Sequence, residues 1–121
     1  MEPKKTLVIG ASEKSDRYSN MAIKLLLKKG HEVVAIGIKK GITDSITIEN
    51  QKVEFKNIDT ITLYLNPAAQ KDYYSYIINL KPVRIIFNPG TENNELRELA
   101  EASSINTEYA CTLVLLNLNQ F

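Results

Sequence analysis

Apolar residues in this chain form short continuous runs that alternate with stretches where they recur every three or four positions. Thr6-Leu7-Val8-Ile9 is a run of the first kind. It closes on Gly10, the pattern of a strand buried on both faces. Over residues 19–29, Met21, Ala22, Leu25 and Leu26 recur at helical spacing, and Gly30 follows as a stop. His31-Glu32-Val33-Val34-Ala35-Ile36-Gly37 then reads as a second buried strand. Strand, helix and strand within residues 6–37 make a βαβ unit, whose parallel strands require the crossover helix.

Residues 39–57 are patterned differently. Ile42, Ile46, Ile48, Val53 and Phe55 are scattered and interrupted by Gly41, Asn50 and Asn57, which predicts a loop with one or two short edge strands. Residues 60–65 (TITLYL) are β-branched and aromatic, hence a strand. Asn66-Pro67 opens the next helix, since Asn caps it and Pro suits the first helical position. That helix runs to about Leu80, with Tyr73, Tyr74, Ile77 and Leu80 as its inward stripe, and Lys81-Pro82 ends it. Residues 83–87 form another strand and Asn88-Pro89-Gly90-Thr91 a turn. Residues 92–103 form a helix with Leu96, Leu99 and Ala100 on one face. A short strand over 106–110 and a helix over 112–119 complete the series.

Strands alternating with helices predict an α/β fold: a single Rossmann-like, doubly wound parallel sheet with helices on both faces. Counting strands along the chain, the expected order is 3-2-1-4-5-6. No repeat, low-complexity tract or linker interrupts the pattern, so residues 1–121 are read as one domain.

Composition narrows the function classes. A chain of 121 residues, 44% hydrophobic and 24% charged, can build one core without disulfides or metal. A net charge of +1 gives no basic surface for nucleic acid. No apolar stretch reaches membrane-spanning length, and the run at Thr6 is too short for a signal peptide. One cysteine, Cys111, suits a reducing cytoplasm.

In such a sheet, ligands bind beyond the carboxyl ends of the strands at the switch point, here between the strands at residues 6–9 and 60–65. Five segments reach that crevice: residues 10–20, 37–40, 65–66, 88–91 and 110–112. In the first, Gly10 lets the backbone approach a phosphate and Ser12 adds a hydroxyl. Ser19 or Asn20 opens a helix whose free N–H groups favour an anion. The loop is neither a dinucleotide fingerprint, because positions 12 and 15 are serine, nor a Walker loop. After the second strand, Gly37-Ile38-Lys39-Lys40 offers two cations where an NAD site wants an acid. That suits a phosphate on the ribose, as in NADP or coenzyme A.

Catalytic candidates are sparse. His31, the single histidine, is expected at the surface of the amino edge, with no metal cluster or triad around it. Cys111 falls on the ligand side but has no histidine nearby in sequence and is read as a small hydrophobe. Glu13, Asp16 and Glu92 are read as solvated loop charges. Tyr64, Tyr73, Tyr74 and Tyr76 are read as packing between helix and sheet.

The segments LVIGASEKSDRYSNMAIKLLLKKGHEVVAIGIKKG, TLYLNPAAQKDYY and RIIFNPGTENNELRELAEASSI resemble the small stand-alone CoA-binding domain family. That family is related to the nucleotide-binding domain of the succinyl-CoA synthetase alpha subunit. The resemblance implies that Gly10, Ala11, Ser12, Arg17, Ser19 and Asn20 hold a pyrophosphate, with Tyr18 beside Arg17 in the same motif. It places Lys39 or Lys40 near the ribose phosphate, after Gly37 and Ile38. Leu65, Asn66, Asn88, Pro89 and Gly90 would line the crevice. The chain departs from many relatives at Gly37-Ile38, where they carry Asn-Pro, at Asn88, where they carry Gln, and at Thr112, where Pro follows the cysteine. The synthetase's phosphorylated histidine belongs to a second domain, so its chemistry is not expected here. The expectation is non-catalytic binding of coenzyme A or a related adenine nucleotide. The alternatives are an NADP-linked oxidoreductase, a CoA-dependent transferase component needing a partner subunit, and an interaction protein whose nucleotide site has decayed.

Overall fold

The structure is a computed structural model that describes residues 2–121. Strand β1 (Thr6–Ile9) leads through helix α1 (Tyr18–Lys28) to β2 (Val33–Ile36). A hairpin follows, β3 (Gly41–Thr43) and β4 (Ile46–Glu49), then β5 (Thr60–Leu63). The next helical segment is α2 (Pro67–Gln70), a 3-10 turn (Lys71–Tyr73) and α3 (Tyr74–Leu80). Strand β6 (Arg84–Phe87), α4 (Asn94–Ala102), β7 (Asn106–Tyr109) and α5 (Thr112–Asn117) complete the chain.

All seven strands belong to one sheet in the order β3-β4-β2-β1-β5-β6-β7. With β3 set aside, this is the order expected from the sequence, β4 taking the place of the third strand. Every pairing is parallel except β3 with β4, so the sheet is mostly rather than wholly parallel. The hairpin turns on Asp44 (φ 50°) and Ser45 (φ 65°), two residues of positive φ that give the primed turn matching strand twist.

The central strands are buried on both faces, and their alternation sorts the core. Leu7, Ile9, Ile61, Leu63, Ile85 and Phe87 pack against Ile77 of α3 and Leu96 and Ala100 of α4. Val8, Ala35 and Ile86 pack on the other face against Ile23 and Leu26 of α1 and Leu116 of α5. Each such fully buried side chain stabilises the fold by roughly 1.5–3 kcal/mol. Helices therefore cover both faces, as a parallel sheet requires.

Several local expectations change. Helix α1 begins one turn position earlier than expected, with Arg17 as N-cap, so Ser19 and Asn20 are buried first-turn residues and not caps. The helix after Asn66 is capped as expected, with the Ala69 N–H donating to Asn66 Oδ1 at 2.9 Å, but a 3-10 turn interrupts it. It ends on Lys81 in the left-handed region (φ 53°). Helix α4 starts later than expected, because the Asn93 side chain accepts the Leu96 N–H at 3.2 Å and fixes the cap there. His31, expected at the surface, is 3% exposed because Phe121 packs over its ring. Among the described residues no helix is long and apolar enough to cross a membrane.

Candidate functional site

At its carboxyl end, β1 hands the chain to α1 and β2 on one side, while its other neighbour, β5, continues toward β6. The loops diverge there and leave a groove of about 630 Å³. A smaller hollow of about 350 Å³ lies between residues 52–57 and α3, and no carboxyl-edge loop lines it.

The loop after β1 is pinned by its backbone. The N–H groups of Gly10 and Ala11 both donate to the Ile36 carbonyl at 2.9 Å. Gly10 has φ +93°, and a Cβ there would lie 2.9 Å from the backbone C and O of Tyr64. Gly37 is excluded from carrying a side chain for a similar reason: its Cβ would press on the Ala11 carbonyl and lie 2.9 Å from Ile48 Cγ2. The loop is therefore clamped between the ends of β2 and β5. Further along, Ser12 Oγ accepts the Lys14 N–H at 3.1 Å, which leaves the Ser12 hydroxyl proton free to donate.

Asn20 braces the loop from below. Its Nδ2 donates to the Ser12 carbonyl at 2.8 Å and to Thr43 Oγ1 at 3.0 Å, while its Oδ1 accepts from Lys24 at 2.8 Å. Glu13, expected to be a solvated charge, accepts the Ile42 N–H of β3 at 3.1 Å. The groove is lined by Lys14, Arg17 and Lys39 together with Glu13, whose carboxylate is bonded to the hairpin backbone. At the start of α1 the backbone N–H groups of Asn20 and Met21 go to the Arg17 carbonyl. Tyr18 and Ser19 precede the first intrahelical bond, so their N–H groups are open to an anion.

The opposite wall comes from β5 and β6. Burial pushes the Tyr64 hydroxyl up to about 12, with hydrogen bonding from Thr62 and Thr112 acting against it, so this phenol stays protonated at neutral pH. Asn88 is buried, and its side chain ties three elements together. Nδ2 donates to Thr62 Oγ1 at 2.7 Å and to the Leu63 carbonyl at 2.8 Å, and Oδ1 accepts the Thr112 N–H at 2.9 Å. Pro89 and Gly90 (φ +91°) form a turn closed by the Thr91 N–H on the Asn88 carbonyl at 2.9 Å. Glu92, like Glu13, is exposed as expected of a solvated charge, and it accepts the Gly90 N–H at 2.8 Å. Gln70 Nε2 joins the two halves of the wall by donating to the Leu65 and Thr91 carbonyls, each at 2.8 Å.

Of the residues named from the sequence, Gly10, Ala11, Ser12, Arg17, Tyr18 and Ser19 line one side of the groove, with Ile38 and Lys39 beyond the end of β2. Leu65, Asn66, Pro89 and Gly90 line the other side. Asn20, Gly37, Lys40 and Asn88 do not line it. Asn20 and Asn88 spend their amides inside the protein, Gly37 lies beneath the loop, and Lys40 is exposed elsewhere. Lys14 and Thr91 line the groove without having been singled out, and so do Glu13, read from the sequence as a loop charge, and Tyr64, read as packing between helix and sheet. Lys14 and Thr91 sit inside segments already placed at the crevice, so charge and hydroxyl content there were the available signal. Tyr64 follows directly on the four paired residues of β5, which is where a strand end meets the crevice. Cys111 is half-buried at the cap of α5 and does not line the groove. Among the described residues no cluster of three metal-ligating side chains occurs.

The family profile described as "CoA binding domain" matches residues 4–117. A crystal structure of an uncharacterized protein is 44% identical, with each chain covered over 100% of its length and a TM-score of 0.98. Cell-free ID.343 from Thermus thermophilus is 16% identical, over 98% of this chain and 91% of its own, with a TM-score of 0.85. A hypothetical protein from Pyrococcus horikoshii OT3 is 23% identical, over 93% and 80%, with a TM-score of 0.83. The last two likenesses show the fold alone. No curated protein matches the chain.

Proposed function

The chain belongs to the CoA-binding domain family, and on that footing we propose that its groove receives the nucleotide part of coenzyme A as a non-catalytic binding module. The observation that carries this reading is that Lys14, Arg17 and Lys39 line the same groove at the switch point as Tyr18 and Ser19, the first residues of α1. The pyrophosphate sits against Tyr18 N–H and Ser19 N–H, with the Ser12 hydroxyl and Arg17 supplying further donors. Lys39 lies beside the ribose phosphate. Leu65, Asn66, Pro89 and Gly90 make a less charged wall for the rest of the ligand. Binding is favoured over catalysis because the acidic side chains near the groove, Glu13 and Glu92, are each bonded to a backbone N–H and, among the described residues, not to a second acid–base group. A cytoplasmic location fits the single unpaired thiol of Cys111.

Lys39 suits a phosphate on either ribose hydroxyl, so NADP is the competing ligand. A thermal-shift and calorimetry series with coenzyme A, dephospho-coenzyme A, NADP and NAD separates the cases. Coenzyme A is expected to bind at least several-fold more tightly than its dephospho form and NAD, since a partly exposed ion pair is worth about 1–4 kcal/mol before screening. The gap narrows as salt rises. Lys39→Ala should erase the preference, and Lys40→Ala should leave it. A larger shift with NAD than with coenzyme A would overturn the reading.

A further inference from the structure

At the amino edge of the sheet, away from the groove, His31 joins two distant parts of the chain. Its Nδ1 accepts the Lys4 backbone N–H at 2.9 Å. Its Nε2 is buried with no partner among the described residues. The ring packs against Phe121, with centroids 4.9 Å apart and planes at 58°. Phe121 is itself 5% exposed and held from other directions. Lys4 Nζ donates to its carbonyl oxygen at 2.7 Å, and the Arg84 guanidinium lies 4.5 Å from its ring centroid. One imidazole thus sits between residue 4 and residue 121.

This arrangement works with a neutral ring. The charged groups acting on His31 are Lys4, Arg84 of β6 and Asp59 before β5, while its neighbour Glu32 pairs with Lys5 at 3.6 Å. Counting the side chains of the described residues that act on the ring, two cations, Lys4 and Arg84, oppose one anion, Asp59. A proton added at Nδ1 would replace the acceptor with a donor, leaving it facing the Lys4 N–H, and would bring a third positive charge into a dry site. We propose that His31 is an acid-operated clasp. Neutral, it holds the segment at Lys4 and the segment at Phe121 on the amino edge; protonated, it releases both, while the groove at the other edge stays formed.

The sign follows from linkage. Burial, then Lys4 and Arg84, hold the folded ring below the ordinary value of 6.5. The released form takes up its proton at about that ordinary value, so the clasp is closed at neutral pH. Between about 6.5 and the lower folded value, the open population rises by up to about tenfold per pH unit.

Hydrogen exchange of the full chain from pH 7.5 to 5, corrected for intrinsic rates, tests this alongside an NMR titration of the His31 ring. The expected result is loss of protection at the Lys4 amide and over residues 118–121, by up to tenfold per pH unit below 6.5. Amides of β5 and β6 should hold theirs over the same range. His31→Gln should flatten the response. Protection at both segments that follows the rest of the chain, or a pH response that survives in His31→Gln, overturns the clasp. Should His31→Gln not fold, Phe121→Ala uncovers the ring and should raise its titration midpoint toward 6.5. An unmoved midpoint would equally sink the idea. None of these outcomes bears on coenzyme A binding.

Discussion

Gly10 shows how much of a site residue's role depends on a neighbour distant in sequence. From the sequence, its lack of a side chain reads as room for a phosphate. In the structure, the same lack of a side chain lets the loop pass against the Tyr64 backbone, at φ +93°. Gly10→Ala should therefore destabilise the fold itself, by about 1–3 kcal/mol from backbone strain and more if Tyr64 must shift. Urea unfolding would check this, and an unchanged midpoint would contradict it. Asn88 and Asn20 teach the related lesson. Both belong to segments that the sequence places correctly at the crevice, yet each amide turns inward and is consumed by backbone and hydroxyl partners. Position along a strand or helix is legible from apolar spacing. The direction of a polar side chain depends on which unmet donors and acceptors the fold brings beside it, and most of those here come from residues 23 to 26 positions away.

Elements with continuous apolar runs were legible with their positions, whereas the hairpin was legible only as one or two short edge strands within a loop. β1, β2, β5 and β6 announce themselves because their paired residues are continuous apolar or β-branched runs buried on both faces. β3 and β4 are three and four residues long, with exposed positions at Ile42 and Thr47, so no period of two stands out. Their turn also lacks the Asn-Gly or Asp-Gly pair that usually marks a two-residue hairpin. Asp44-Ser45 instead holds two side-chain-bearing residues at positive φ. Ser45→Gly should relieve one of them and raise stability by roughly 0.5–1 kcal/mol. A lower unfolding temperature in this variant would show that the Ser45 side chain is needed where it stands.

At the scale of the molecule, the strand order did not depend on locating both strands of the hairpin, because the order is set by the crossovers around β1 and β4 fills the outer parallel place whatever precedes it. The groove's location followed from that order. Its lining was legible loop by loop, and the individual contacts were not. One contact also reaches beyond the site. Ile42 N–H points away from β4, along the free margin of β3, and Glu13 covers it with a carboxylate. An uncovered sheet margin is a template on which another chain can add a strand, and Ile42, 65% exposed, would supply an adhesive side chain. Glu13→Ala removes the cover and its negative charge together. Sedimentation velocity should then show concentration-dependent self-association that the parent chain lacks, and identical profiles would rule this out. Glu13 would then decide whether the molecule stays separate from its own copies or begins to polymerise.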